Sequence, residues 1–232
     1  MTEEPRPRPS PLDRMYLAVE GVTEVLLIRH GEQVRDMRTA ADFRDPPLSE
    51  RGRRQVKALG ESLAGLHFDA VFSSNLQRAR DTALAITEHH ELEPKVIEDL
   101  REHEVFRDLP ENRPLEEILS RELLRALQSR LISEQTADAY PYSENSAEFR
   151  KRTVNAVEQA IWTQRAERIA IVCHAGVINA YVSHIVKSPY DFIFGPDHTS
   201  VSVIAAIDNR RMVRRLNDSQ HLRNGEVDLT SS

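Results

Sequence analysis

The 232-residue chain has little cysteine, no long apolar run and no excess of positive charge. The single cysteine, Cys173, lies inside a short hydrophobic stretch, so a disulfide framework within the chain is excluded, which fits a reducing compartment. No apolar stretch approaches the roughly 20 residues that a membrane span needs. The first residues contain no apolar segment of the signal-peptide kind, so the expected location is the cytoplasm. A formal net charge of −6 argues against a general nucleic-acid surface. His67, His89, His90, His103, His184, His198 and His221 stand at no metal-ligand spacing with partners, and most read as ordinary side chains. What remains is the composition of a soluble globular protein, 40% hydrophobic and 29% charged, long enough for one large domain.

One pattern occurs twice. Val25-Leu26-Leu27-Ile28 runs into Arg29-His30-Gly31-Glu32, and Ile169-Ala170-Ile171-Val172-Cys173 runs into His174-Ala175-Gly176. A short continuous apolar run closed by turn signals suits a strand buried on both faces, as in a parallel sheet. Open α/β sheets bind ligands beyond the carboxyl ends of such strands. Two histidines at two such ends can therefore share one site, which points to an enzyme.

The rest of the chain alternates between strand and helix signals. The proline-rich residues 1–14 read as a solvated tail. After the first strand, Thr23 to Ile28, residues 32–47 read as a long polar loop ending in Pro46-Pro47. Ser49 is a helix N-cap ahead of Val56, Leu59 and Leu63, with the helix running to about Gly65. A strand follows from Asp69 to Ser73, then a helix near Leu76 to His89 with Ala79, Ala83 and Ile86 on one face. Lys95 to Glu98 is a third short strand. Residues 101–145 read as an insertion over the ligand edge, a candidate lid, with one helix from Pro114 to Ser133. Ser146 to Arg165 is an amphipathic helix; the strand ending at Cys173 comes next, then a helix from Gly176 to Val186. Ser200 to Ile207 and Met212 to Leu216 form a closing hairpin. The expected organisation is one domain over 15–217 with a polar tail over 218–232. It is an α/β sandwich whose sheet is mostly parallel with an antiparallel edge.

The carboxyl edge of that sheet gathers Arg29 and His30 from the first strand, Arg78 from the first turn of the next helix, and His174. Two arginines beside two histidines repel one another unless an anion lies between them. The guanidinium fork matches phosphate oxygens. The backbone N–H groups of the helix start after His174, beginning with Ala175, would add to anion binding. His30 is the better nucleophile candidate, with Gly31 leaving the far side of its ring open and the arginines favouring neutral imidazole. His174 would stabilise charge on the transferring group. A leaving alkoxide needs a proton, for which Glu102 and Glu104 are the available carboxyls. Cys173, adjacent to His174 on a strand, faces the other way into the core.

These residues resemble the histidine phosphatase superfamily, the phosphoglycerate mutase-like group. The likeness extends beyond Arg29-His30-Gly31-Glu32 to Pro47-Leu48-Ser49-Glu50-Arg51-Gly52 with Gln55, and to Ser73-Ser74-Asn75-Leu76-Gln77-Arg78-Ala79 with Thr82-Ala83. It continues through Leu100-Arg101-Glu102, Val172-Cys173-His174-Ala175-Gly176 and His198-Thr199-Ser200-Val201. The resemblance implies a three-layer α/β/α sandwich and a metal-independent phosphatase without cofactor. His30 would be phosphorylated; Arg29, Arg78 and His174 would bind the phosphoryl oxygens; Glu102 would protonate the leaving group and then activate water. The chain departs from the pattern at Gln33 and Asp36, at His103-Glu104-Val105-Phe106 after the acid, and at Glu144-Asn145-Ser146. Asp36 is expected to point outward or to meet Arg29 or a cationic substrate. Two other readings are a mutase that returns the phosphoryl group to a second hydroxyl, and a phospholigand-binding protein without turnover. The expected partner is a phosphorylated small molecule, without nucleic acid or membrane. The sequence names neither the substrate nor an oligomeric state.

Overall fold

The computed structural model of the protein describes residues 21–34, 39–163 and 168–223. The proline-rich start and Asp36 lie outside them. The first strand, β1 (Thr23–Arg29), leaves the sheet at the Arg-His-Gly turn. The stretch expected as loop holds a short helix, α1 (Ala40–Arg44), because Thr39 and Asp42 close a reciprocal capping box. Ser49 caps α2 (Glu50–Leu63) by accepting the Gly52 N–H at 3.0 Å. β2 (Ala70–Ser73), α3 (Gln77–Thr87) and β3 (Lys95–Val96) follow. β3 is two residues shorter than expected, since the chain turns at Glu98–Leu100 into a 3₁₀ helix that buries Leu100.

The segment expected as one helix from Pro114 to Ser133 is two, α4 (Leu115–Ile118) and α5 (Arg121–Glu134). Ser120 interrupts it by accepting the Leu123 N–H at 3.1 Å, which makes it the cap of the second. Then come α6 (Ser146–Thr163), β4 (Arg168–Cys173), α7 (Ala175–Val186), β5 (Val201–Ile207) and β6 (Arg210–Asp218). Structure continues past the expected boundary at 217: a 3₁₀ turn at Gln220–Arg223 buries Leu222 and brings His221 Nε2 to 3.0 Å from Thr199 Oγ1.

The sheet order is β3-β2-β4-β1-β5-β6, with the first four strands parallel and the last two antiparallel. Alternate residues of the central strands face opposite layers. Val25, Leu27, Phe72, Ile169, Ile171 and Cys173 pack with Phe149, Val157 and Tyr181 of α6 and α7. Leu26, Ile28, Val71, Ala170 and Val172 pack with Leu59, Leu63, Ala79, Ala83 and Ile86 of α2 and α3. Two covered faces explain why β1 and β4 read as unbroken apolar runs rather than alternating ones. Each Val, Leu, Ile or Phe side chain fully buried here contributes about 1.5–3 kcal/mol. The layers are therefore helix, sheet, helix. A satellite cluster of Phe106, Leu109, Leu115, Leu119 and Leu127 forms the interior of the 101–145 segment. No helix among the described residues is long and apolar enough to cross a membrane.

Candidate active site

Strand register assembles the site. Ile28 and Ser73 both lie opposite Val172, and Arg29 lies opposite Cys173. The residues that follow, His30, Ser74 and His174, thus emerge side by side at the carboxyl edge. Backbone bonds fix that level: His30 N–H donates to the Cys173 carbonyl at 3.0 Å and Ser74 N–H to the Val172 carbonyl at 3.0 Å. The two histidine rings meet with centroids 4.9 Å apart.

His30 is 3% exposed. Its Nδ1 lies 2.6 Å from the Gly31 carbonyl, which can only accept, so Nδ1 carries the proton and Nε2 holds the lone pair. Arg78 Nε donates to that Nε2 at 3.2 Å. Burial first, then the charges of Arg78, His174 and Arg29, hold the His30 imidazole well below its ordinary pKa, against a smaller opposing pull from the Gly31 carbonyl. His174 is lowered in the same way by burial and by Arg78, Arg29 and Arg152. The crowding of cations is relieved by keeping both rings neutral. Burial also lowers the Arg78 guanidinium, which Glu102 and Asp45 partly oppose.

Gly31 serves differently from expectation. A methyl at its Cα would strike Val56, Leu48 and the Gly52 carbonyl, so its missing side chain lets the turn close on α2 instead of clearing the ring. Its N–H donates to Thr82 Oγ1 at 3.1 Å, and Thr82 donates in turn to the Arg78 carbonyl at 2.7 Å, tying the His30 turn to the helix that carries Arg78. Arg29 Nη1 donates to the Pro196 carbonyl at 2.6 Å. His174 is the N-cap of α7, one residue before Ala175, and its Nε2 lies 2.8 Å from Ser74 Oγ. His174 Nδ1 is buried without a hydrogen-bond partner among the described residues.

The two glutamates differ in where their carboxylates lie. Glu102 receives the Gly176 N–H on both carboxylate oxygens, at 3.1 and 3.2 Å, so it sits on the positive end of α7 beside His174. Glu104 turns to Arg101 at 3.4 Å and Arg107 at 3.9 Å instead. The second N–H of the α7 start is thus engaged by Glu102 rather than left for an anion. The missing side chain of Gly176 is what lets the carboxylate come so near, because a Cβ would fall well inside contact with Glu102 Oε1 and against Phe149, and the carboxylate would have to move. Gln33 forms an isolated bridge to Leu48. Cys173 faces the core, where burial pushes its thiol pKa far up. Among the described residues no group of three or more His, Cys, Asp or Glu side chains could hold a metal ion.

Several residues at the site were not singled out from sequence. Ser74 and Thr82 lie inside segments that were read for Arg78 alone. The His198 ring stands 5.8 Å from that of His30. Arg152 belongs to the amphipathic helix of residues 146–163 and has no motif of its own. Its signal was legible: an arginine one turn from Phe149 and Ala156, on the buried stripe of α6.

Comparison with known proteins gives a consistent pattern. The family described as histidine phosphatase superfamily (branch 1) matches residues 25–219. Phosphoserine phosphatase 1 of Hydrogenobacter thermophilus is 28% identical over 206 residues, covering 87% of this chain and 95% of that protein. The metal-independent phosphoserine phosphatase of Arabidopsis thaliana is 28% identical over 212 residues, covering 87% of this chain and 84% of the relative. The crystal structure of phosphoglycerate mutase from Bacillus anthracis superimposes with a TM-score of 0.69 at 20% identity, over 86% of this chain and 95% of that one, a likeness of fold.

Proposed function

The chain belongs to the histidine phosphatase superfamily (branch 1) and is a phosphoric monoester hydrolase, and we propose that it works through a phosphohistidine formed on His30 without a metal ion. The observation that carries this reading is the state of His30: Nδ1–H is fixed on the Gly31 carbonyl, and the Nε2 lone pair lies among Arg78, His174 and Arg29. A neutral imidazole attacks where a protonated one cannot.

In the first step Nε2 forms a bond to phosphorus while the ester P–O bond breaks. Glu102 delivers its proton to the departing oxygen. The phosphoryl oxygens take over the donor that Arg78 now gives to Nε2, and Arg29 adds a second fork. His174, with Nε2 on Ser74, has Nδ1 to offer as a donor, and the Ala175 N–H at the α7 start is a further one. The Gly31 carbonyl steadies the positive charge that the ring acquires through Nδ1–H. In the second step Glu102, now a carboxylate, takes a proton from water as that water attacks phosphorus. The P–N bond breaks and neutral His30 returns with inorganic phosphate released.

Hydrolysis is favoured over return of the phosphoryl group by the two relatives named phosphoserine phosphatases. They make phosphoserine the first small phosphomonoester to try. We read 101–145 as the lid that selects the alcohol, because it carries its own apolar cluster and includes Glu102 at its start. The test is hydrolysis of p-nitrophenyl phosphate in excess EDTA by wild type and His30→Ala. Turnover that survives EDTA and is lost in the variant supports the mechanism; equal turnover by the variant rejects it.

A further inference from the structure

Arg152 enters none of these steps, yet it is the most fully engaged cation described. Its Nε and Nη2 each donate to a different oxygen of Glu144 at 2.6 Å. Nη2 also donates to the Glu102 carbonyl at 2.9 Å, and Nη1 to the Asp99 and Arg101 carbonyls at 2.9 and 2.7 Å. Arginine has five N–H donors, and all five are used. The three carbonyls belong to the stretch that ends at Glu102, where regular structure stops after Leu100. Without the guanidinium they would have no helix or strand partner.

The clamp is itself held. Arg152 and Glu144 side chains are 9% and 3% exposed. His103 Nε2 lies 2.7 Å from the Glu144 carbonyl, and the Glu144 N–H donates to the Glu104 carbonyl at 3.3 Å. Arg152 stacks over Phe149 at 5.1 Å, and Phe149 lies against both the His103 ring and the Gly176 position. A buried ion pair is not required for stability, since apolar residues of similar volume often serve as well. What apolar residues cannot do is hold three carbonyls in one plane, for which the guanidinium fork is suited.

We propose that Arg152, braced by Glu144, is the positioning residue that places the Glu102 carboxyl for proton delivery to the leaving oxygen. The proposal rests on the reading of Glu102 as the acid. A shift of about 1 Å in a reacting group can cost about 100-fold. The loss should depend on how much the leaving group needs a proton.

The experiment measures kcat/KM for substituted phenyl phosphates, from 2,4-dinitrophenyl to unsubstituted phenyl, in wild type, Glu102→Gln, Arg152→Lys and the double variant of those two. Lysine keeps the charge and loses the fork. Glu102→Gln should make the rate depend more steeply on leaving-group basicity, and Arg152→Lys should do the same. The phenyl ester should lose at least about tenfold more than the dinitrophenyl ester. The double variant should be no steeper than Glu102→Gln alone. If Arg152→Lys does not fold, Glu144→Leu combined with Arg152→Met leaves no unpaired buried charge and should show the same steepening. A steep Glu102→Gln series with a uniform or absent loss in the folded clamp variant overturns the positioning role alone. A Glu102→Gln series as shallow as wild type overturns the acid beneath it as well.

Discussion

Replacing Arg78 with methionine removes the guanidinium that donates to His30 Nε2 and keeps much of its volume. Three consequences can be worked out. Loss of one preorganised donor to the transferring group lowers kcat/KM by about 100- to 1000-fold, or about 3–4 kcal/mol. Arg78 is the largest electrostatic cause, after burial, of the low His30 pKa. Its removal therefore raises that pKa, and the acid limb of kcat/KM moves to higher pH, because a larger share of His30 is protonated and cannot attack. Stability behaves differently. Arg78 is almost fully buried; among the described residues the carboxylate within 4 Å of it, Asp45, is half-exposed at 3.8 Å, and Glu102 acts on it only from farther away. The charge is thus poorly compensated in the ligand-free protein, and its loss should leave the melting temperature unchanged or higher. Initial rates with p-nitrophenyl phosphate across the acid and neutral range, with thermal melts of the same samples, measure all three. A change of less than about threefold in kcat/KM, worth under 1 kcal/mol, would refute contact between Arg78 and the phosphoryl group.

Two further outcomes follow from the same geometry. Gly176→Ala forces a methyl against Glu102 and Phe149, so kcat/KM should fall at least about tenfold and stability by about 1–3 kcal/mol, read by rates and melting. An unchanged rate would mean that the Glu102 carboxylate does not act from the start of α7. Acid should destabilise the fold early. His30 and His174 are held below the ordinary imidazole pKa of about 6.5, so below that pH the unfolded chain binds more protons than the folded one. Stability is full above about pH 6.5 and declines as pH falls from there toward the lowered folded values. The two groups together contribute up to about 2.7 kcal/mol per pH unit. Denaturant titrations at a series of pH values should show this slope, and the His30→Asn/His174→Asn variant should flatten it. An equal slope in the variant would contradict neutral burial of the rings.

Most of the frame was legible because burial on both sheet faces leaves unbroken apolar runs, as at Leu26–Ile28 and Ile169–Val172. The same runs end in Arg29, His30 and His174, so one pattern exposed both the strands and the candidate site. Short elements were less legible. The capping box of Thr39 and Asp42 creates α1 inside a polar stretch that composition alone marks as loop. Ser120 splits one apolar periodicity into α4 and α5. At the site, spacing brought forward Arg29, His30, Arg78 and His174, which follow directly from strands or open a helix. It could not separate Glu102 from Glu104, because the choice depends on which carboxylate reaches the Gly176 N–H across the fold. Arg152 stands out only as a charge on the buried stripe of α6; three of its five bonds go to carbonyls, which have no sequence signature, so what it holds is not legible.

Trapping of the covalent intermediate tests the central claim most directly. Wild type mixed with p-nitrophenyl phosphate in excess EDTA is quenched in alkali, digested and mapped by mass spectrometry. Phosphate on the peptide carrying His30, assigned to that imidazole and absent from His30→Ala, is the predicted result. Phosphate on His174, or steady turnover with none on His30, would contradict it.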